Sequence, residues 1–147
     1  MNKLFIFLIT LHFTTACSAQ TEWKSFDHKN GFHIGLPDHF KEGLYVAALQ
    51  YYENTRDSSI VVTVETAGKG TKEILEEDYK YQLQQFEVSY SVLKPLWFVV
   101  SGTDEEGIFY RKAIIKEGQM YILHISYPPE KKAEANTFIS RMAASSH

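Results

Sequence analysis

Cysteine, long hydrophobic runs and clustered basic residues are all scarce in this sequence, and each scarcity excludes something. Cys17 is the only cysteine, so a disulfide or a multi-thiolate zinc knuckle has no partner residues to build from. The longest charge-free apolar run, Leu4 to Phe13, covers ten residues. A helix needs roughly 20 to cross a bilayer, which makes this run too short for a permanent span. Lys and Arg form no group larger than the pairs Arg111-Lys112 and Lys131-Lys132, and the formal charge is −3. A nucleic-acid partner calls for a concentrated basic face, so none is expected. Linkers rich in Pro, Gly or Ser are missing too, as are internal repeats, and the composition does not change along the chain.

What is present begins with an address. Met1-Asn2-Lys3 is a basic start, Leu4 to Phe13 an apolar core, and Thr14-Thr15-Ala16-Cys17-Ser18-Ala19 a small polar exit. This is the three-part layout of a secretory signal, and it predicts export to the cell envelope. Thr14-Thr15-Ala16-Cys17 resembles the lipobox of bacterial lipoproteins, with Thr14 where that family usually has Leu. The resemblance implies cleavage before Cys17 and a diacylglycerol thioether on its sulfur. Ordinary cleavage after Ala19 is the alternative, and it would remove the cysteine. On the first reading residues 1–16 are a signal peptide, 17–22 a tether and 23–147 a single α+β domain. The mature chain of 131 residues then carries 14 Lys+Arg against 18 Asp+Glu, a formal charge of −4, and is long enough for a core of its own.

Trp23 to His28 and Phe32 to Leu36 flank Asn30-Gly31, the dipeptide favoured by two-residue hairpin turns because both positions need positive φ. Tyr45 to Tyr52 and Ile60 to Glu65 read as a second strand pair, and Tyr90 to Leu93, Trp97 to Thr103, Ile108 to Lys116 and Gln119 to Tyr127 as a third group. Between them, after a potential N-cap at Thr71, Leu75, Tyr79, Leu83 and Phe86 recur at helical spacing. A second helix opens at Pro129 and carries Ala135, Phe138, Ile139 and Met142 as an apolar stripe. The late strands are apolar on both faces, so both faces need cover. These elements predict an antiparallel sheet of about seven or eight strands with a helix on each face.

The order of strands, helix, strands and terminal helix resembles the PsbP/Mog1-like fold, in particular its small exported bacterial members. The residues that carry the resemblance are Tyr90-Ser91-Val92-Leu93-Lys94, Trp97-Phe98-Val99-Val100-Ser101-Gly102-Thr103, Gly107-Ile108-Phe109-Tyr110-Arg111-Lys112 and Ile125-Ser126-Tyr127-Pro128. Members of that fold serve as assembly or accessory subunits, among them a photosystem II component and a Ran-binding protein. The resemblance therefore implies a binding role and supplies no catalytic motif.

Catalytic signatures are weak throughout. Ser101 lies in Val99-Val100-Ser101-Gly102, which is not a nucleophile elbow, and reads as a strand-end serine. Glu76-Glu77-Asp78 and Asp104-Glu105-Glu106 read as solvated charge. Gly68-Lys69-Gly70-Thr71 lacks the first glycine of a phosphate loop, and no cofactor is expected. Tyr45, Tyr51, Tyr52, Tyr110, Tyr121 and Tyr127 read as sheet aromatics, with a stacking surface for a glycan or protein as the sharper alternative. A two-residue Asn30-Gly31 turn would set His28 opposite His33, a pair able to chelate a transition metal with His39 as third ligand. Two imidazoles fall short of the three or four protein ligands of a zinc site, so a plain surface pair is the preferred reading. The leading expectation is a non-catalytic, lipid-anchored envelope module that binds a protein partner through its sheet edge or loops. The alternative is a hydrolase or metal-dependent envelope enzyme whose groups converge only in three dimensions, and titratable side chains meeting in a cleft would favour it.

Overall fold

A computed structural model describes residues 21–28 and 31–147. Cys17 and the whole signal segment lie outside the described residues. Nine strands and two helices follow one another: β1 Trp23–His28, β2 Phe32–Pro37, β3 Phe40–Val46, β4 Leu49–Asn54, β5 Val61–Lys69, α1 Lys72–Gln85, β6 Glu87–Lys94, β7 Trp97–Asp104, β8 Gly107–Lys116, β9 Gln119–Tyr127 and, after a 3-10 turn at Pro129–Lys131, α2 Lys132–Ser145. β3 to β9 form one antiparallel sheet in the order β3-β4-β5-β9-β8-β7-β6, and β1 and β2 form a separate hairpin. The expected α+β class, with an antiparallel sheet and a helix on each face, is what the chain adopts.

The alternation of β9 explains the two layers. Tyr121, Leu123 and Ile125 point to one side, where they meet Val62 and Val64 of β5, Phe32, Ile34 and Leu36 of β2, and Phe138 and Met142 of α2. Met120 and Ile122 point to the other, against Phe98, Val100, Phe109 and Ala113, with Leu75 of α1 above them. Alternate residues of a strand face opposite sides, so a central strand apolar throughout needs both helices.

Three local expectations need correction. Tyr45 to Tyr52 is not one strand: the chain reverses at Ala47 and Ala48, both left-handed at φ 47° and 72°, and Val46 pairs with Leu49. Neither residue is Gly, Asn or Asp, so nothing in the local chemistry announces a turn there. Leu83 of α1 is 41% exposed, and Gln82 is buried in the place it was expected to fill. In the first hairpin, His28 pairs with Phe32 and Asp27 with His33, so three residues rather than two separate the paired strands. This register sets Phe26 across from Ile34 and keeps Phe32, Ile34 and Leu36 fully buried. A one-residue slip would turn that set outward, which is why packing rather than turn preference decides it.

Ser101 is structural: its hydroxyl donates to the carbonyl of Phe109 at 2.8 Å. Gly102 beside it has to be glycine, because a Cβ there would come within 2.1 Å of the Glu87 carbonyl oxygen, at the irregularity between β6 and β7.

Candidate functional site

The predicted histidine pair does not form. With His28 opposite Phe32 and His33 opposite Asp27, the two imidazoles lie on opposite faces of the hairpin. His28 is buried, its Nε2 2.9 Å from the Thr66 hydroxyl. His33 is half-exposed, its Nδ1 2.6 Å from Asp27. His39 sits elsewhere, beyond the end of β2. Among the described residues no three His, Cys, Asp or Glu side chains are arranged to hold a metal ion. The tyrosines divide: Tyr52, Tyr121 and Tyr127 are buried, while Tyr45 and Tyr51 are exposed. They form no common stacking surface.

Two places do gather titratable groups. Under α1, Arg111 of β8 points its Nη2 at Asp78, 3.0 Å from Oδ2, and Gln82 donates to the same carboxylate at 2.9 Å. Asp78 and Arg111 are only 15% and 18% exposed, so the expectation of solvated charge at Asp78 fails. Beside them His124 stacks on Phe109 at 6.0 Å. Burial, and then the charge of Arg111, pushes its pKa down to about 4 against a weaker pull from Asp104. A cavity of about 130 Å³ opens here between Tyr81, Phe86, Phe109, Arg111 and His124. The second place is a cleft of about 190 Å³ at the Trp23 end of the sheet, lined by Trp23, His39, Arg56, Glu134, Thr137 and Phe138 among others. His39 Nδ1 lies 3.6 Å from Asp38, whose carboxylate is 3.8 Å from Arg56. Burial and Arg56 lower the His39 pKa, and Asp38 and Glu134 oppose the shift.

Adjacent residues Arg111 and Lys112 face opposite layers, and both are partly buried. Lys112 reaches α2, donating to the Ala143 carbonyl at 2.6 Å and the Ser146 hydroxyl at 3.0 Å. Strand alternation was the signal available for this, since a charge in the middle of a two-faced apolar strand has to meet a covering helix.

Exposed apolar side chains gather at both edges of the sheet, with Tyr90 of β6 and Leu96 after it at one edge and three successive residues of β3 at the other. β3 is bonded only to β4 within the main sheet, and its far end carries Leu44, Tyr45 and Val46 at 65%, 40% and 49% exposure. Tyr51 of β4 is exposed nearby. The pairing breaks between Glu42 and Tyr45, a bulge that re-aims this end of the strand. Edge strands ordinarily carry charges or prolines that discourage further pairing, and an apolar edge end is the exception.

No protein-family model matches the chain, and no curated protein matches it. Among solved structures it is similar to the solution structure of cyanobacterial PsbP from Synechocystis, with a TM-score of 0.63 at 9% identity, covering 89% of this chain and 95% of that one. The PsbP-like fold is therefore shared. At this identity the likeness speaks to fold alone.

Proposed function

We propose that this chain is a non-catalytic accessory module of the bacterial cell envelope, anchored through lipid on Cys17 and exposed on the periplasmic side, that docks another envelope protein along β3. The observation that carries the reading is the apolar end of that edge strand, Leu44-Tyr45-Val46, beside Tyr51. An edge strand with exposed apolar side chains suits an extended segment that adds a strand and seats alternate side chains against it. The accessory roles implied by the PsbP-like resemblance agree with this, and so does the basic, apolar and small-residue order of residues 1–17. Among the described residues no helix is long and apolar enough to cross a membrane. The alternative, a hydrolase, draws on the titratable groups that meet in the two clefts, His39 with Arg56 and Glu134 beside the Thr21 and Thr137 hydroxyls, and Arg111 with His124 and Asp104.

A photo-crosslinking residue placed in turn at Leu44, Val46 and Leu83 tests the docking edge in intact cells, with intact mass of the envelope-extracted protein read alongside. One discrete heterologous adduct is expected from positions 44 and 46 and none from 83, on a protein starting at an acylated Cys17. Adducts identical at all three positions, or none at any, overturn the docking edge. A mature N-terminus at Gln20 overturns the anchor alone, and full-length protein in the cytosol overturns export.

A further inference from the structure

The indole of Trp23 separates two shallow clefts at the end of the domain nearest the tether. The first, of about 190 Å³, places Arg56 and Glu134 together with His39 and Thr137. The second, of about 430 Å³, is lined by Thr21, Glu22, Trp23 and Arg141. Each cleft thus joins one guanidinium to one carboxylate along a shared aromatic wall, and the Arg141 guanidinium lies 4.2 Å from the Trp23 ring centroid. Six residues lead from Cys17 to Trp23, and a fully extended stretch of six spans about 20 Å at most. An anchor on Cys17 therefore keeps this end of the sheet within about 20 Å of the membrane surface.

We infer that the Trp23 end of the domain seats on the headgroup layer of the bilayer that holds the anchor, with a zwitterionic phospholipid headgroup in each cleft. The headgroup phosphate meets Arg56 or Arg141, and its ammonium meets Glu134 or Glu22. The inference rests on the lipid anchor proposed above. Indole and guanidinium groups are the side chains that favour the membrane interface, since each joins an apolar body to a polar tip. Both signs of charge lie at this end: Arg56 is 3.8 Å from Asp38, Lys131 is 3.6 Å from Glu134, and Lys24 donates to the Asp38 carbonyl, so a headgroup carrying both charges answers both members of each pair. With this end on the membrane, the Leu44 to Val46 end of β3 points away from it, because Pro37 and Phe40 mark one end of the sheet and Val46 the other.

The chain's two tryptophans, Trp23 and Trp97, supply the test. Trp97 opens β7 and pairs with Lys94 at the opposite end of the sheet, about 25 Å away by strand rise. Full-length acylated protein is reconstituted into vesicles of phosphatidylethanolamine and phosphatidylcholine containing a brominated lipid, as Trp97→Phe (only Trp23 emits) and Trp23→Phe (only Trp97 emits). Quenching of Trp23 is expected to exceed that of Trp97 at least threefold, and Arg56→Ala with Arg141→Ala to halve it. A bimane dye on Thr137→Cys gives the same reading without altering either indole, the Cys17 sulfur being occupied by lipid. Acylated protein with equal quenching at both indoles, or with none, overturns the seating and leaves the anchor intact. Protein without the acyl mass and without quenching overturns both.

Discussion

The two helices lie on opposite faces of one sheet, yet they are held there by different means. α2 buries Ala135, Phe138, Ile139 and Met142, a full apolar stripe at i, i+3, i+4 and i+7. α1 has the same length and buries only Leu75 and Gln82. Besides Leu75 and the Tyr79 ring, 5.5 Å from that of Phe98, it reaches the sheet through Asp78 and Arg111 and through the Tyr79 hydroxyl, which donates to Ser91 at 3.1 Å. The α2 layer is closed by contact that has no direction, whereas the α1 layer depends on polar pairs that must keep their geometry. One face of a single sheet can thus be a sealed core while the other carries buried charge beside a cavity.

The sharpest way to break this contrast is to remove one apolar side chain from each helix. Phe138 packs edge-on against Phe40 with centroids 5.5 Å apart and is 3% exposed. Phe138→Ala is expected to cost about 3 to 5 kcal/mol, a large part of a domain's stability. Leu83→Ala on α1 removes an equally apolar residue that is 41% exposed, and is expected to stay within about 0.5 kcal/mol. Denaturant midpoints of the two variants check this. Equal losses would mean that α1 is packed as α2 is, and that the polar pairs are incidental.

The same contrast limits what the sequence discloses. The α2 stripe is legible residue by residue because an apolar layer needs only the 3.6 period. On α1 the period points to Leu83, but the buried position belongs to Gln82, whose amide finds Asp78, and a long-range partner on β8 is invisible to local pattern. The first hairpin is foreseen, while its register follows from burying Phe32, Ile34 and Leu36 together. The exposed apolar end of β3 is hidden more deeply. Leu44, Tyr45 and Val46 look like ordinary strand residues, and the turn that isolates them is made by two alanines. His39 draws notice as a metal ligand and turns out to line a cleft with Arg56 and Glu134.

A smaller effect belongs to the α1 layer and appears only in acid. Burial and Arg111 lower the His124 pKa to about 4 from the ordinary value near 6.5, so the unfolded chain takes up its proton first as pH falls. The stability that His124 contributes as a neutral group is complete above about pH 6.5 and is lost progressively down to about pH 4. At pH 4.5 the loss is about 2.5 kcal/mol, because each tenfold difference in proton affinity between the folded and unfolded chain corresponds to about 1.4 kcal/mol. Comparing urea midpoints of the parent and His124→Gln at pH 7 and pH 4.5 isolates this contribution from other acid-sensitive groups. If both lose stability in parallel, His124 is not the group that makes the α1 layer acid-sensitive.

The smallest expected effect tests whether the α2 layer is as independent of polar pairing as its apolar stripe implies. Lys112 is the charge that crosses this face: its ammonium donates to the Ala143 carbonyl and the Ser146 hydroxyl at the end of α2 and lies 5.9 Å from the Trp97 ring centroid. The last carbonyls of a helix have no partner within it, and a cation there meets the negative end of the helix dipole. Burial lowers the lysine's pKa, which marks part of this gain as spent on desolvation. Lys112→Met keeps the length of the side chain and removes the charge. The Ala143 carbonyl retains the Ser146 hydroxyl as a donor at 2.9 Å, and the Ser146 carbonyl loses only a long contact of 3.4 Å to the ammonium. The expected cost is therefore about 1 kcal/mol, near that of one ordinary hydrogen bond, with faster amide exchange confined to Ser145 and Ser146. A loss several times larger would show that α2 also hangs on a polar clasp, and the distinction between the two layers would then be one of degree.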